Sequence, residues 1–108
     1  METMPPAISP MGTLQDVLEA LSDPVRLEMV RRLASAGAPV ACADLYDSVS
    51  KSTASHHFKV LREAGVTERL NIGGQTHQSL RLDDLEDSFP GVVSSIVAVS
   101  RDGADRDD

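Results

Sequence analysis

The sequence holds no tryptophan, one tyrosine and two phenylalanines in 108 residues. Aromatic side chains bring the largest buried areas to most cores. A core made without them is aliphatic, which suits packed helices better than a β-sandwich. Cys42 is the single cysteine, so no internal disulfide forms and no CxxC or CxC thiolate pair exists within one chain. Its neighbours Val40, Ala41 and Ala43 give it the default role of a small buried hydrophobe. No run approaches the ~18 apolar residues of a membrane span. The opening "METMPPAISP" has neither a basic start nor an apolar run of signal-peptide length. A cytoplasmic protein with no membrane partner is expected. Positive charge is scarce as well. The net charge is −7, which at first argues against nucleic acid as a partner.

That scarcity is uneven. Residues 1–49 carry net −4 and residues 83–108 net −6, whereas residues 50–82 carry +3 from Lys51, Lys59, Arg62, Arg69 and Arg81 against Glu63 and Glu68. All three histidines lie in the same basic island. At 41% apolar and 25% charged residues, the rest of the composition is that of one ordinary globular domain.

The pattern divides the chain into a flexible N-terminal arm at 1–12, a folded domain at 13–100 and a disordered acidic tail at 101–108. Leu14, Val17, Leu18 and Leu21 fall at helical spacing after Thr13. Asp23 and Pro24 form a cap and first position for a second helix, in which Leu27, Val30, Leu33 and Ala34 share a face and Gly37 is the stop. "PVACADLYDSV" reads as a short third helix, with Leu45 and Val49 a turn apart. Ser50 is a cap candidate for a fourth, in which Ala54, Phe58 and Leu61 point inward and Gly65 ends the run. The period then changes from 3.6 to about 2. "VTERLNI" and "THQSLRL" flank "GGQ" as a β-hairpin. Asp83 can cap a further helix, which Pro90-Gly91 interrupts and Val92 to Val99 resume. Two short helices, a tight connection and a two-stranded wing make a winged helix-turn-helix, mainly α with a β-hairpin.

The helix at 51–64 has a second face. With Ala54, Phe58 and Leu61 inward, Ser52, Ser55, His56, Lys59 and Arg62 form one outward stripe. Short alcohols and a histidine near a helix N-terminus are able to reach base edges in a major groove. Lys51, Lys59 and Arg62 suit phosphate. His56 and His57 do not form a metal pair: neighbours on a helix project about 100° apart, and two ligands on one face need a spacing of three or four. His57 reads as a half-buried packing residue with one satisfied nitrogen.

"LSDPVRLEMVRRLA", "ADLYDSVSKSTASHHFKVLREAGV" and "LRLDDLEDSFPGVV" together resemble the ArsR/SmtB family of winged-helix repressors over about residues 14–100. The resemblance implies a homodimer held by its first and last helices. It implies an inverted-repeat operator in double-stranded DNA and release when a ligand, often a metal ion, binds. The matching recognition positions are Ser52, Thr53, Ser55, His56 and Lys59, and the wing runs from Arg69 to Arg81. Three departures matter. Where the family's thiolate sensor has paired cysteines, this chain has Cys42 alone. Where its last-helix sensor uses histidine with carboxylates, residues 83–100 have Asp83, Asp84, Glu86 and Asp87 and no histidine. No bound metal or other cofactor is therefore expected, with His77 left open as a ligand of some other set. At the wing tip "GGQT" lacks an arginine, which leaves Arg69, Gln75 and His77 for the minor groove.

Catalysis is not expected, because Cys42 has no histidine near it in sequence and "GGQ" is a turn rather than a phosphate loop. The expected function is that of a sequence-specific transcriptional repressor. The alternative is a winged-helix adaptor whose sensor or DNA contacts come from a second regulatory protein. Val17, Leu18, Leu21, Val93, Ile96 and Val97 are the expected dimer surface.

Overall fold

The computed structural model describes residues 9–105, with side chains described through Val99. In chain order the elements are α1 (Leu14–Leu21), α2 (Pro24–Ala36), β1 (Val40–Ala41), α3 (Lys51–Ala64), β2 (Thr67–Ile72), β3 (Gln75–Leu80), α4 (Leu82–Ser88) and α5 (Val92–Asp105). The antiparallel sheet has the order β1-β3-β2. This is a winged helix-turn-helix.

Local chemistry explains where the helices begin. Thr13 accepts from the Asp16 N–H at 3.1 Å while Asp16 accepts from the Thr13 N–H at 3.0 Å, a reciprocal box that starts α1. Asp23 Oδ2 accepts from the N–H groups of Val25 and Arg26 and starts α2, with Pro24 at its first position. Ser50 accepts from the Thr53 N–H at 3.1 Å and starts α3. Gly37 and Gly65 end α2 and α3 in the left-handed conformation. At the hairpin tip Gly73 and Gly74 have φ 61° and 81°, the pair of positive angles that a two-residue turn demands. That turn is tight, and Asn71 Oδ1 accepts from the Gly74 N–H at 3.1 Å.

The core is aliphatic around Phe58: Val17, Leu21, Met29, Val30, Leu33, Leu45, Leu61, Val66, Leu85 and Val93 are all buried. Ala54, Phe58 and Leu61 form the inward face of α3.

Several expectations need correcting. "PVACADLYDSV" is not a helix: Val40 and Ala41 pair with Gln78 and His77, and only Cys42–Asp44 make a single 3₁₀ turn before an irregular stretch leads to Ser50. Pairing with β3 satisfies backbone groups that a helix would otherwise have used. Cys42 is half-buried rather than buried. Helix α4 starts at Leu82, ahead of the expected Asp83 cap, and has no side-chain cap. The expected dimer set divides: Val17, Leu21 and Val93 are consumed by the protomer's own core, and Ile96 and Val97 are partly buried. Leu18 is 40% exposed, and Leu14, which was not in that set, is 42% exposed.

At the domain's edges, residues 1–8 of the expected arm and 106–108 of the expected tail lie outside the described residues. The described end of the arm is packed. The Gly12 N–H donates to the Ala64 carbonyl at 3.0 Å, Ser9 O accepts from Arg81, and Met11 lies against the core. Helix α5 runs on through residues 101–105, which the expected boundary placed in the tail.

Candidate nucleic-acid interface

Helix α3 carries most of the residues singled out from sequence. Lys51, Ser52, Thr53, Ser55, His56 and Lys59 are exposed, and Arg62 is half-buried. The first turn is partly committed to its own cap: the Ser50 hydroxyl donates to Thr53 Oγ1 at 3.0 Å and lies 3.3 Å from Ser52 Oγ. Ser55, His56 and Lys59 have no side-chain hydrogen bond or ion pair among the described residues.

The two histidines take opposite roles. His56 faces solvent. His57 Nδ1 lies 3.0 Å from Arg26 Nη1, which donates to it, and its Nε2 lies 3.9 Å from Asp23. Arg26 also donates to the carbonyls of Ala20 and Glu19 at the end of α1. A single guanidinium thus ties the α1–α2 corner to α3. Burial works against ionisation of Asp23, but hydrogen bonds from the N–H groups of Arg26 and Val25 and the electrostatic influence of His57 and Arg26 outweigh it and hold its carboxyl below the usual value.

The other arginines of α2 are paired in the same manner. Arg31 and Arg32 both bond Glu28, at 2.7 and 2.9 Å, and Arg32 reaches Asp47 at 3.2 Å. Burial disfavours the Glu28 carboxylate, yet the hydrogen bonds from Arg32 and Arg31 outweigh burial and keep its carboxyl low. Arg81, with a side chain 7% exposed, pairs with Asp84 and donates to Ser9 O. By contrast Lys51, Lys59, Arg62 and Arg69 have no ion pair or hydrogen bond among the described residues.

The wing is divided by its own pleat. Arg69 stands opposite Gln78 in the β2–β3 register and Leu70 opposite His77, so Arg69 and Gln78 share one face and His77 occupies the other. Arg69 is exposed, and it lines a cleft with Arg62, Lys51 and Ser55. Gln75 is exposed at the tip. His77 is half-buried, with Nδ1 3.0 Å from Gln75 O. The structure therefore gathers Lys51, Ser55, Arg62 and Arg69 and sets His77 apart from them. Among the described residues no three His, Cys, Asp or Glu side chains gather where they could hold a metal ion.

One polar cluster had no signal in the sequence pattern. Thr67 and Gln78, 2% and 1% exposed, are bonded at 3.0 Å, and Gln78 Nε2 donates to Cys42 Sγ at 3.8 Å. The wing projects beyond the helices, so Ile72 is 46% exposed while Thr67, at the strand's root, is covered.

An exposed polar helix backed by a three-stranded wing defines a winged helix-turn-helix protein. The comparisons agree. Residues 21–69 match a family model described as a helix-turn-helix domain. The chain is 35% identical over 82 residues to the HTH-type transcriptional regulator YceK of Bacillus subtilis (strain 168), covering 74% of this chain and 82% of that protein. It is similar to the crystal structure of the transcriptional repressor BigR from Xylella fastidiosa, with 26% identity, 70% of this chain and 85% of that one covered, and a TM-score of 0.55. The fold is also that of an ArsR family transcriptional regulator of known structure: 18% identity, 89% and 98% coverage, TM-score 0.59. The chain belongs to the family of HTH-type transcriptional regulators, with the fold of an ArsR family member. It is a regulator, not an enzyme. Among the described residues no helix is long and apolar enough to cross a membrane.

Proposed function

We propose that the protein is a repressor that binds an inverted-repeat operator as a homodimer, reading base edges with Ser52, Thr53, Ser55 and His56 and gripping phosphate with Lys51, Lys59, Arg62 and Arg69. The observation that carries this reading is the contrast in pairing. In a chain of net charge −7, the arginines of α2 have carboxylate, carbonyl or imidazole partners, whereas the cations of α3 and β2 have none among the described residues. Unpaired cations around a polar helix match a polyanion with a groove. Gln75, exposed at the wing tip, is assigned a minor-groove contact, and His77, half-buried with its Nδ1 3.0 Å from Gln75 O, has the weaker claim.

The exposed Leu14 and Leu18 of α1, with Val99 of α5 at 69% exposure, support a dimer through the first and last helices. Covering such a surface is the ordinary reason for a permanent apolar interface. In a dimer the two recognition helices face half-sites about one duplex turn apart, or a multiple of it.

The test is fluorescence anisotropy with duplexes from the DNA upstream of the chain's own reading frame, at two salt concentrations, with sedimentation in parallel. Operator binding by a species of twice 11.5 kDa is expected, and Leu18→Glu should yield protomers with greatly weakened operator binding. A folded dimer with no affinity for any duplex would overturn the reading in favour of an adaptor that borrows its DNA contacts from a partner protein.

A further inference from the structure

Between α3, the 3₁₀ turn and the wing lies a cleft of about 410 Å³, within the ~300–1,000 Å³ range of small-molecule sites. Lys51 from the first turn of α3, Arg62 from its last turn and Arg69 from β2 line it, and no Asp or Glu does. That is an unusual wall in a chain with 17 acidic and 10 basic residues. The three cations have no partner among the described residues, so they raise the potential of the cleft without local relief. The cleft is not merely a cationic groove. The rings of Tyr46 and Phe58 also line it, packed edge to face with centroids 6.2 Å apart and planes at 66°. Its polar floor is the buried Gln78, whose amide donates to Cys42 Sγ at 3.8 Å, a weak acceptor.

We propose that this cleft binds a small organic anion with an aromatic body, of the aryl carboxylate class, and that its occupation lowers affinity for DNA. The carboxylate is recognised by Arg62 and Arg69, whose planar guanidinium groups match it in two-point hydrogen bonding, with Lys51 adding charge. The ring is recognised by the Tyr46–Phe58 wall, which a DNA phosphate leaves unfilled. Bound there, the ligand neutralises cations assigned above to the DNA backbone. This regulatory half rests on the proposed DNA interface, whereas the binding half does not.

The chain has a single cysteine and a single tyrosine, and both line this cleft. Cys42 and Tyr46 are thus built-in reporters for the full-length protein. The measurements are the rate of Cys42 alkylation by iodoacetamide and the fluorescence of Tyr46, with benzoate, naphthoate, benzamide or inorganic phosphate, without and with duplex. The aryl carboxylates should slow alkylation several-fold and shift the fluorescence, with benzamide and phosphate far less effective. In the doubly substituted Arg62→Gln, Arg69→Gln protein the protection should vanish while the circular dichroism and melting temperature stay as they were. Silence of both reporters toward both aryl carboxylates overturns the proposal. So does equal protection by phosphate, survival of protection in the double variant, or protection by duplex alone, which would make the cleft a backbone groove. Ligand binding that leaves the duplex bound overturns the regulatory half. Protection by aryl carboxylates in a protein that binds no duplex supports the binding half and sinks the DNA reading instead.

Discussion

Helices α2 and α3 both carry basic residues on their outer faces, yet the two sets differ in what surrounds them. Arg26, Arg31 and Arg32 of α2 are each held by two or more hydrogen bonds to groups of the same chain. Lys51, Lys59 and Arg62 of α3 hold nothing among the described residues. One set completes the protomer: it closes the α1–α2 corner and anchors the irregular stretch before α3 through Asp44 O and Asp47. The other has no partner among the described residues, and the proposed function assigns it to an outside anion. The same residue type serves cohesion or binding according to whether a carboxylate or carbonyl lies within reach, and composition alone does not separate the two.

The comparison can be broken most sharply at Arg26. Arg26→Met removes donors from the Ala20 carbonyl and from His57, and hydrogen bonds to charged groups are worth about 1.5–3 kcal/mol each. A loss of roughly 2–3 kcal/mol in urea denaturation is expected, with DNA affinity per folded molecule little changed. Unchanged stability would show that the α1–α2 corner does not depend on this guanidinium.

On α3 the expectation reverses, with binding altered and stability intact. His56→Ala should cost on the order of 1–3 kcal/mol on the specific operator and much less on random duplex. Equal loss on both would mean that His56 reads no base. Lys59→Ala should weaken binding to all duplexes alike and lower the slope of log affinity against log salt by about one unit. An unaltered slope removes Lys59 from the phosphate contacts.

A pH titration separates the sets in a third way. Asp23 and Glu28 are held below their ordinary values of 3.8 and 4.5. A lowered carboxyl contributes stability that is complete above its ordinary value and is lost as pH falls through the lowered, folded-state value. Unfolding free energy should therefore fall below about pH 4, and less steeply in Asp23→Asn. An identical acid slope in that variant would show that the Asp23 cap carries none of it. The smallest effect belongs to Arg31→Gln. Glu28 keeps Arg32, and a partly exposed pair on one helix is worth about 0.3–0.5 kcal/mol. A larger loss would mean that the three groups act as one network.

Much of this architecture was legible along the chain because its signals are local. Asp23 and Ser50 as caps, Gly37 and Gly65 as stops, the glycine pair of the hairpin and the inward triad Ala54, Phe58, Leu61 all act within a turn or two of themselves. His57 was read as half-buried with a satisfied nitrogen, since its place beside the apolar stripe is a matter of helical spacing. The segment 38–49 was misread because its decisive partner, β3, lies more than thirty residues away. Leu45 and Val49 at helical spacing were outweighed by pairing with Gln78 and His77. Likewise Gly12 looked like part of an arm, although a Cβ there would stand 2.8 Å from the Ala64 carbonyl and its N–H is bonded to that oxygen.

By itself the sequence determined where α2 and α3 start and stop, that a hairpin follows α3, and which face of α3 carries alcohols, a histidine and cations. Caps, left-handed glycines and period depend on neighbours in the chain, so the chain specifies them. Only the tertiary structure decided that Val17, Leu21 and Val93 belong to the protomer's core while Leu14 and Leu18 stay exposed, and that Thr67 and Gln78 are the buried pair of the wing. It alone decided which arginines have partners and that Lys51, Arg62 and Arg69 share one cleft with the only cysteine and the only tyrosine. Burial and ion pairing depend on distance in space, and residues far apart in sequence settle both.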